Sequence, residues 1–323
     1  MTFAKFLRDW TLIIAILAGI AGYFIFTWLP LGRQVHALAH DTMATLQPML
    51  IFAMLFLTFC KIDPRHLRVC KWHLWLLLIQ CGFFTAIGCV LILMPHSGMR
   101  VILEGAMICL ICPTATAGAV ITRKLGGDVN NITTYTVMIN LAAAVLIPSL
   151  VPLVHPNPQL SALSSALLIL CKVFPLLLFP LLSAMLLRVL CPSLTQRLAS
   201  YQDVSFYLWA IALTLAIAAT TRSIAHCTVE LSVQLWLVAV SLACCIFQFW
   251  LGRKIGARYN DTITAGQAFG QKNTVLAIWI GYTFFTPITA IAGGFYSIWH
   301  NVINSYQLYE HKKSEPLKQE SAS

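Results

Sequence analysis

Ten apolar runs, each close to the length of a membrane-spanning helix, constrain this chain more than any other feature of its sequence. They lie near residues 11–30, 43–60, 72–94, 101–122, 133–154, 162–190, 204–220, 231–251, 262–284 and 286–307. A helix needs about 20 apolar residues to cross the hydrocarbon core of a bilayer. Only 10% of the 323 residues are charged, whereas a soluble globular domain has about 25%. The sequence therefore predicts an all-α polytopic membrane protein of about ten transmembrane helices, with the lipid bilayer as its main partner.

The placement of Lys and Arg predicts an orientation, because cytoplasmic loops carry an excess of these residues. With the N-terminus inside, sixteen of them fall in inside segments, and only Arg33, Arg100 and Arg222 fall in outside loops. This alternation favours a cell membrane protein with both termini in the cytoplasm. The net charge of +10 does not indicate nucleic-acid binding, because the cations are dispersed between apolar runs instead of forming one basic face.

The ten predicted spans divide into two sets of five. We expect one transporter domain over residues 1–310, with repeats near 1–155 and 156–310, and a disordered cytoplasmic tail over 311–323. An odd number of helices in each half places the two halves in opposite orientations, which is the inverted-repeat plan of many secondary transporters. The fourth and ninth helices are equivalent in that plan.

These two helices are the least regular in the chain. The fourth contains a proline among small and hydroxyl residues, in the run Cys112-Pro113-Thr114-Ala115-Thr116-Ala117-Gly118. The ninth is dense in glycine and polar residues, in the run Gly266-Gln267-Ala268-Phe269-Gly270-Gln271-Lys272-Asn273-Thr274. Interrupted helices at corresponding positions of two halves indicate a binding site near the membrane midplane. The alternative is an ordinary proline kink together with a loop before a shorter span.

The same runs resemble motifs of the bile acid:sodium symporter family. The residues from Cys112 to Ile121 look like the family's Cys-Pro-Gly-Gly-Thr-Ala-Ser-Asn-Val, and they are followed by Gly127-Asp128-Val129, like its Gly-Asp/Asn-Val. The segment from Gly270 to Ala277 resembles its Gly-Met-Gln-Asn-Ser-Gly-Leu-Ala. The segment Phe295-Tyr296-Ser297-Ile298-Trp299-His300-Asn301 resembles its Phe-Ser-x-Trp-His-Asn, and Gln80 fits a further glutamine of the family.

This resemblance implies a panel domain and a core domain, crossing helices four and nine, and sodium-driven uptake of organic anions such as bile acids or small keto acids. The family's sodium-binding positions are altered, however. Its Ser-Asn pair corresponds to Gly118 and Ala119, its glutamate to Ala268, and the glutamine after it to Lys272. Gln80, Thr136 and Asn273 keep polar side chains. Sodium therefore stays a candidate cofactor, but both of its sites are degraded.

Lys272 is the candidate replacement for sodium. A glutamate with two sodium ions sums to one positive charge, as does a single ammonium, so we expect the Lys272 ammonium to hold the crossing of the two helices. An ionisable residue inside a membrane indicates function, because its burial is costly. Release of its proton would couple transport to pH. The alternative is a lysine that snorkels to the interface. For Lys172, a position inside the bundle and a packing role are equally open.

The leading functional hypothesis is a secondary active transporter of a small organic anion, working by alternating access with or without sodium. Its expected binding residues are Thr114, Thr116, Gly118, Ala119, Gln80, Thr136, Ala268, Gln271, Lys272 and Asn273. A proton-coupled exporter and a membrane-embedded enzyme are the alternatives. An enzyme is disfavoured because no nucleophile, base or metal cluster converges at midplane depth. We expect no metal at His36 and His40, which lack a third ligand, and no redox role for Cys109 and Cys112.

Overall fold

The computed structural model describes residues 3–30, 32–227 and 229–320, and almost all of them are helical. The α-helices are α1 (Phe3–Trp28), α2 (Arg33–Cys60), α3 (Lys71–Leu93), α4 (Arg100–Ile111), α5 (Gly118–Lys124), α6 (Val129–Val154), α7 (Ala162–Leu190), α8 (Pro192–Ser200), α9 (Gln202–Ala225), α10 (Leu231–Ala257), α11 (Thr262–Gly270), α12 (Thr274–Phe284) and α13 (Ala290–Glu320). Two 3-10 turns lie at Pro64–His66 and Pro287–Thr289. The all-α prediction is confirmed over these residues.

Seven helices in the described part of the chain are long and apolar enough to cross a membrane, namely α1, α2, α3, α6, α7, α9 and α10. Their outward faces carry large apolar side chains such as Leu78, Leu163 and Trp236, each more than half exposed. A surface of this kind is stable against lipid and not against water. The chain is therefore a multi-pass membrane protein.

The remaining predicted spans differ from single continuous rods. The run 101–122 is divided into α4 and α5, and the run 262–284 is divided into α11 and α12. The last run lies within α13, which has too many polar residues to count as a span by composition. The total of ten spans and the inverted repeat stay predictions.

The sequence predicts a disordered tail from residue 311, whereas the structure continues helix α13 from residue 311 to Glu320. Extending a formed helix costs little once its first turns exist, and Lys312, Lys313 and Gln319 are good helix formers. Residues 321–323 lie outside the described part of the chain.

The helices pack in two groups joined by α6 and α7. In the first group, α1 packs on α9, and α2 packs on α7 and α9. In the second, α3 packs on α4 and α6, while α10 packs on α11, α4 and α13. The interrupted helices lie where these groups meet, since α12 contacts both α2 and α9 of the first group and α13 and α4 of the second.

Small residues allow α10 and α11 to approach closely. A Cβ added to Gly252 would lie 2.6 Å from the Ala265 carbonyl oxygen, and one added to Gly256 would lie 2.5 Å from the Asp261 carbonyl oxygen. Glycines four residues apart let helix backbones touch within a membrane. This contact packs α11, the first half of the second interrupted helix, against the continuous helix α10.

Candidate functional site

The first interruption lies at residues 112–117, between α4 and α5. Pro113 cannot donate a backbone hydrogen bond, and it disfavours helical geometry in the residue before it. Cys112 accordingly has φ −51° and ψ 131°, and helix resumes only at Gly118. The interruption is the one that the proline and its small neighbours predict.

The second interruption, at residues 271–273, contains no proline. Gln271 is extended, with φ −89° and ψ 105°, and Asn273 begins α12 by accepting a hydrogen bond from the Leu276 amide at 3.2 Å. An asparagine in this capping position satisfies an amide that the helix itself leaves free. The polar residues of this run thus end one helix and start the next.

The two interruptions are hydrogen-bonded to each other. Thr114 and Lys272 form an isolated antiparallel bridge. The Ala115 amide donates to the Gln271 carbonyl at 2.9 Å, and the Asn273 amide donates to the Pro113 carbonyl at 2.8 Å. Each interruption thereby satisfies backbone groups that the other has freed, as the membrane interior requires.

The Thr114 side chain adds a third link, because its hydroxyl donates to the Ala268 carbonyl at 2.6 Å. Ala268 therefore contributes through its backbone, and its methyl group is fully buried. Gly118 lies beside this link, since a Cβ added to it would be 3.2 Å from the Thr114 methyl group and 3.7 Å from Gln271 Oε1.

Gln80 of α3 covers the end of α4. Its amide nitrogen lies 2.7 Å from the Leu110 carbonyl oxygen and 3.1 Å from that of Cys112. The Tyr135 hydroxyl of α6 donates to Gln80 Oε1 at 2.7 Å. All of these groups are buried, so Gln80 stabilises the interruption instead of facing a solute.

A second Gln–Tyr pair covers the other interrupted helix. The Tyr296 hydroxyl of α13 donates to the Gly270 carbonyl at 2.7 Å, at the end of α11. The Gln248 amide of α10 donates to that hydroxyl at 3.1 Å and to the Cys109 carbonyl at 3.2 Å. Tyr135, Gln248 and Tyr296 were not among the expected site residues, and the only signal for them is a polar group inside an apolar run.

Lys272 lies at the centre of the crossing, with only 1% of its surface exposed. Its Nζ has no hydrogen-bond partner among the described residues and lies 5.1 Å from the centroid of the Phe269 ring. Five thiols lie within electrostatic range of it, those of Cys81, Cys109, Cys112, Cys244 and Cys245. A lysine that snorkels would expose its amine, so the interfacial alternative does not fit this geometry.

A small cavity of about 20 Å³ adjoins the crossing, enough for about one water molecule. Its lining combines backbone and side chains of both interruptions with residues of α2, α9 and α13, namely Met54, Ala115, Thr116, Ala117, Trp209, Gln271, Lys272, Asn273, Thr274, His300 and Asn301. Thr116, Gln271, Lys272 and Asn273 thus line one cavity, and their binding of a solute stays a prediction.

The other six expected residues do not line this cavity; Thr114, Gly118, Ala268 and Gln80 belong to the crossing described above, whereas Thr136 and Ala119 lie apart from it. The Thr136 hydroxyl bonds the Ile132 carbonyl of its own helix at 2.8 Å. Ala119 packs against the buried cluster of Trp72, Leu76, Ile132, Tyr135 and Phe269. The Thr136 hydroxyl is satisfied within its own helix, as is common for threonine in α-helices, and Ala119 takes part in helix packing.

The other candidates have simple surroundings. Lys172 is exposed on α7, so the alternative that it points into the bundle is wrong. Cys109 and Cys112 are buried free thiols. The side chains of His36 and His40 lie outside the described residues, and within those residues no cluster of three or more His, Cys, Asp or Glu side chains is arranged to hold a metal.

No family model matches the chain, and no curated protein matches it.

Proposed function

We propose that the chain is a secondary active transporter of a small organic anion, similar in plan to the bile acid:sodium symporter family. The observation that carries this proposal is a buried ammonium, Lys272, at the hydrogen-bonded crossing of two interrupted helices. Non-helical backbone within a membrane is tolerated where it is buried in protein or lines a cavity. Discontinuous helices that meet in this way are the usual frame of a transporter's solute and ion sites.

The two Gln–Tyr pairs support an inverted repeat of two five-helix halves. In the first half, Gln80 bonds to the end of α4 and accepts from Tyr135; in the second, Tyr296 bonds to the end of α11 and accepts from Gln248. Each pair comes from the helix before and the helix after the interrupted one. A Gln–Tyr pair at equivalent positions, with the two side chains exchanged in role, is consistent with two related halves. On this plan, ten spans occupy residues 1–310 of a cell membrane protein with both termini in the cytoplasm.

Helix dipoles support the substitution of an ammonium for sodium. Two helix C-termini, α4 at Ile111 and α11 at Gly270, end at the crossing. Each carries about half a negative charge and attracts a cation, while the N-termini of α5 at Gly118 and α12 at Thr274 carry about half a positive charge each and favour an anion. Lys272 follows the second terminus by two residues and is bridged to Thr114 beyond the first. A single ammonium then performs the electrostatic role that metal ions perform in the family that the chain resembles.

The organic anion would bind beside the crossing, where Thr116, Asn273 and Asn301 offer polar atoms next to Lys272. The cavity of about 20 Å³ is smaller than a bile acid or keto acid, so solute entry requires the two helix groups to separate. Alternating access by movement of one group against the other would supply that opening.

The proposal is tested by uptake of labelled organic anions into reconstituted vesicles under imposed sodium gradients, proton gradients or none. In the Lys272→Met variant, we expect accumulation to fall about 10- to 100-fold, since a hydrogen bond from a charged donor is worth about 1.5–3 kcal/mol. Lys172→Met is the matched control, because Lys172 is exposed and lies outside the crossing. Unchanged sodium-dependent uptake in Lys272→Met would refute the role of the ammonium.

The alternatives give different results in the same vesicles. A proton-coupled exporter would use an imposed pH gradient to move the anion against the anion's own concentration gradient. An enzyme would convert a lipid or thiol substrate without accumulating any anion under any gradient.

A further inference from the structure

Helix α13 carries a polar stripe along one face. Ser297, His300, Asn304, Gln307 and His311 follow one another at spacings of three and four residues. Residues at these spacings lie on the same face of a helix. Ser297, His300 and Asn304 are at most 4% exposed, so this face is turned into the protein and not toward lipid or headgroups.

Several polar atoms along this stripe have no hydrogen-bond partner in the described structure. They are Ser297 Oγ, His300 Nδ1 and Asn304 Nδ2 on α13, together with Gln267 Oε1 and Gln271 Oε1 opposite them. Buried polar atoms are nearly always paired, either with protein or with water. Five unpaired atoms, three on the stripe and two opposite it, therefore indicate groups that bind water.

The stripe is continuous from the crossing to the polar end of the helix. His300 lines the same cavity as Lys272. Further along, the Gln267 amide donates to Asn304 Oδ1 at 3.0 Å and to Gln307 Oε1 at 2.9 Å, and Gln307 is partly exposed. The eleven residues from His300 to His311 span about 16 Å of helix, close to half of the ~30 Å hydrocarbon core.

A larger cavity lies at the polar end of the stripe. It measures about 590 Å³ and is lined by Gly126, Gly127, Asp128, Asn131, Ala257, Tyr259, Asn260, Asp261, Thr262 and Ile263. A Cβ placed on Gly126 would be 4.0 Å from His311 Cε1, so the stripe reaches the rim of this cavity. Arg123, Lys124 and Arg258 lie in the adjoining segments, which places the cavity on the face with the positive excess.

Next to Lys272, the other side of the crossing is apolar. Residues 275–280 of α12 are all hydrophobic and at most 7% exposed, and Met107, Ile108 and Ile111 of α4 are equally buried. Water is stabilised only where polar partners line its path. The polar path thus stops at Lys272 and does not continue to the opposite face.

We infer that the polar stripe of α13 is a hydrated half-channel that carries protons between the 590 Å³ cavity and the Lys272 amine. In the transfer, the neutral amine takes a proton from hydronium to give ammonium and water, and the reverse step returns it. The half-channel itself does not depend on the proposed function. Only the role of this proton as the coupling ion rests on it.

Few titratable groups face the amine. They are the thiols of Cys81 on α3, Cys109 and Cys112 on α4 and Cys244 and Cys245 on α10, with His300 of α13 on the shared cavity. His300 and His311 are the titratable groups on the stripe itself. The thiols belong to the apolar surroundings of Lys272. The proton path therefore follows the histidines and polar amides of the stripe.

Water access is tested by cysteine substitution at Ser297 and at Asn304, with Val302→Cys as the matched control. Val302 lies on the same helix and is 58% exposed on its outer face, toward lipid. Membrane vesicles of known sidedness are treated with a charged, membrane-impermeant methanethiosulfonate, and labelling is measured by mass spectrometry of the peptide that contains each position. This readout separates the new thiol from the eleven native cysteines.

We expect Ser297→Cys and Asn304→Cys to react about tenfold or more faster than Val302→Cys, because only a hydrated thiol ionises to the reactive thiolate. The reaction should occur only when the reagent is on the side of residues 123–128. Equal rates at all three positions, or labelling from the opposite side, would overturn the half-channel. Ser297→Cys replaces a hydroxyl with a thiol of similar shape, so it keeps the test decisive if Asn304→Cys fails to fold.

Proton transfer to Lys272 is tested separately by ¹⁵N NMR of protein labelled at lysine Nζ, with Lys272→Met used to assign the signal. We expect the signal to move with buffer pH between its ammonium and amine positions. A signal that stays fixed while the thiols are labelled would overturn the proton transfer. Failure of anion uptake with both results intact would refute the proposed transport alone.

Discussion

Replacement of Gln80 by Leu is the sharpest test of how the interruption in the first half is stabilised. The substitution keeps the volume of the side chain but removes the amide that lies 2.7 Å from the Leu110 carbonyl oxygen and 3.1 Å from that of Cys112. It also removes the acceptor of the Tyr135 hydroxyl. An amide nitrogen has two protons, so it satisfies at most two carbonyls.

Three buried polar groups therefore lose their partner in Gln80→Leu: two carbonyls and one hydroxyl. Each unsatisfied group costs about 1–3 kcal/mol. Local relaxation and the apolar character of the leucine offset part of this cost, so we expect the free energy of unfolding to fall by about 2–5 kcal/mol.

The assay is equilibrium unfolding in lipid bicelles, with Gln234→Leu as the control. The Gln234 amide also bonds one carbonyl, that of Val229 at 3.2 Å, but it lies at the partly exposed start of α10. There water replaces the lost donor, and we expect a change below about 1 kcal/mol. A Gln80→Leu variant as stable as the control would refute the role assigned to the amide.

A double-mutant cycle with Tyr135→Phe isolates the pair. In the Gln80→Leu background the Tyr135 hydroxyl has lost its acceptor, so its removal should be neutral or stabilising. In the wild-type background it should cost about 1 kcal/mol. We expect a coupling energy of about 1–2 kcal/mol, within the range for residues in one network. Additive effects would show that the two side chains act independently.

Two further changes have defined outcomes. Gly256→Ala should lower the free energy of unfolding by about 1–3 kcal/mol through overpacking, because its Cβ would lie 2.5 Å from the Asp261 carbonyl oxygen. Its control is Gly82→Ala, which has open space around it and should be neutral or stabilising in the same unfolding assay. Arg100→Leu removes the 3.1 Å partner of the buried Glu104 carboxylate and leaves only His155 Nδ1, 3.4 Å from the same oxygen, so it should cost about 3 kcal/mol. Arg222→Leu, at an exposed position, should change stability by less than about 0.5 kcal/mol. Equal effects within either pair would contradict the packing or the ion pair.

The sequence was informative about the helices because lipid imposes a simple rule on length and composition. Apolar runs gave the positions of α3, α6 and α7 closely, and Pro113 indicated the first interruption. The second interruption has no proline, and only its polar residues marked it. In a membrane, polar residues inside a span are costly and therefore informative.

The partners of those polar residues could not be predicted in the same way. Thr136 was expected at the site but bonds within its own helix, while Tyr296 was missed although it covers the end of α11. Both are single polar residues in apolar helices, and sequence does not show which face they occupy relative to a helix far along the chain. Lys172 and Lys272 illustrate the same difficulty: both lie within apolar runs, but one is exposed and the other is buried.

The charge of Lys272 would determine how firmly the crossing is held. With the amine protonated, one positive charge faces the ends of α4 and α11, which together carry about one negative charge. Loss of the proton would remove this attraction and leave only the positive N-termini of α5 and α12 beside the two negative helix ends. The backbone bonds between Ala115 and Gln271 and between Pro113 and Asn273 would remain, so the crossing would loosen without unfolding. On the proposed mechanism, a proton that enters along α13 therefore favours the closed crossing, and its departure favours separation of the two helix groups around the anion.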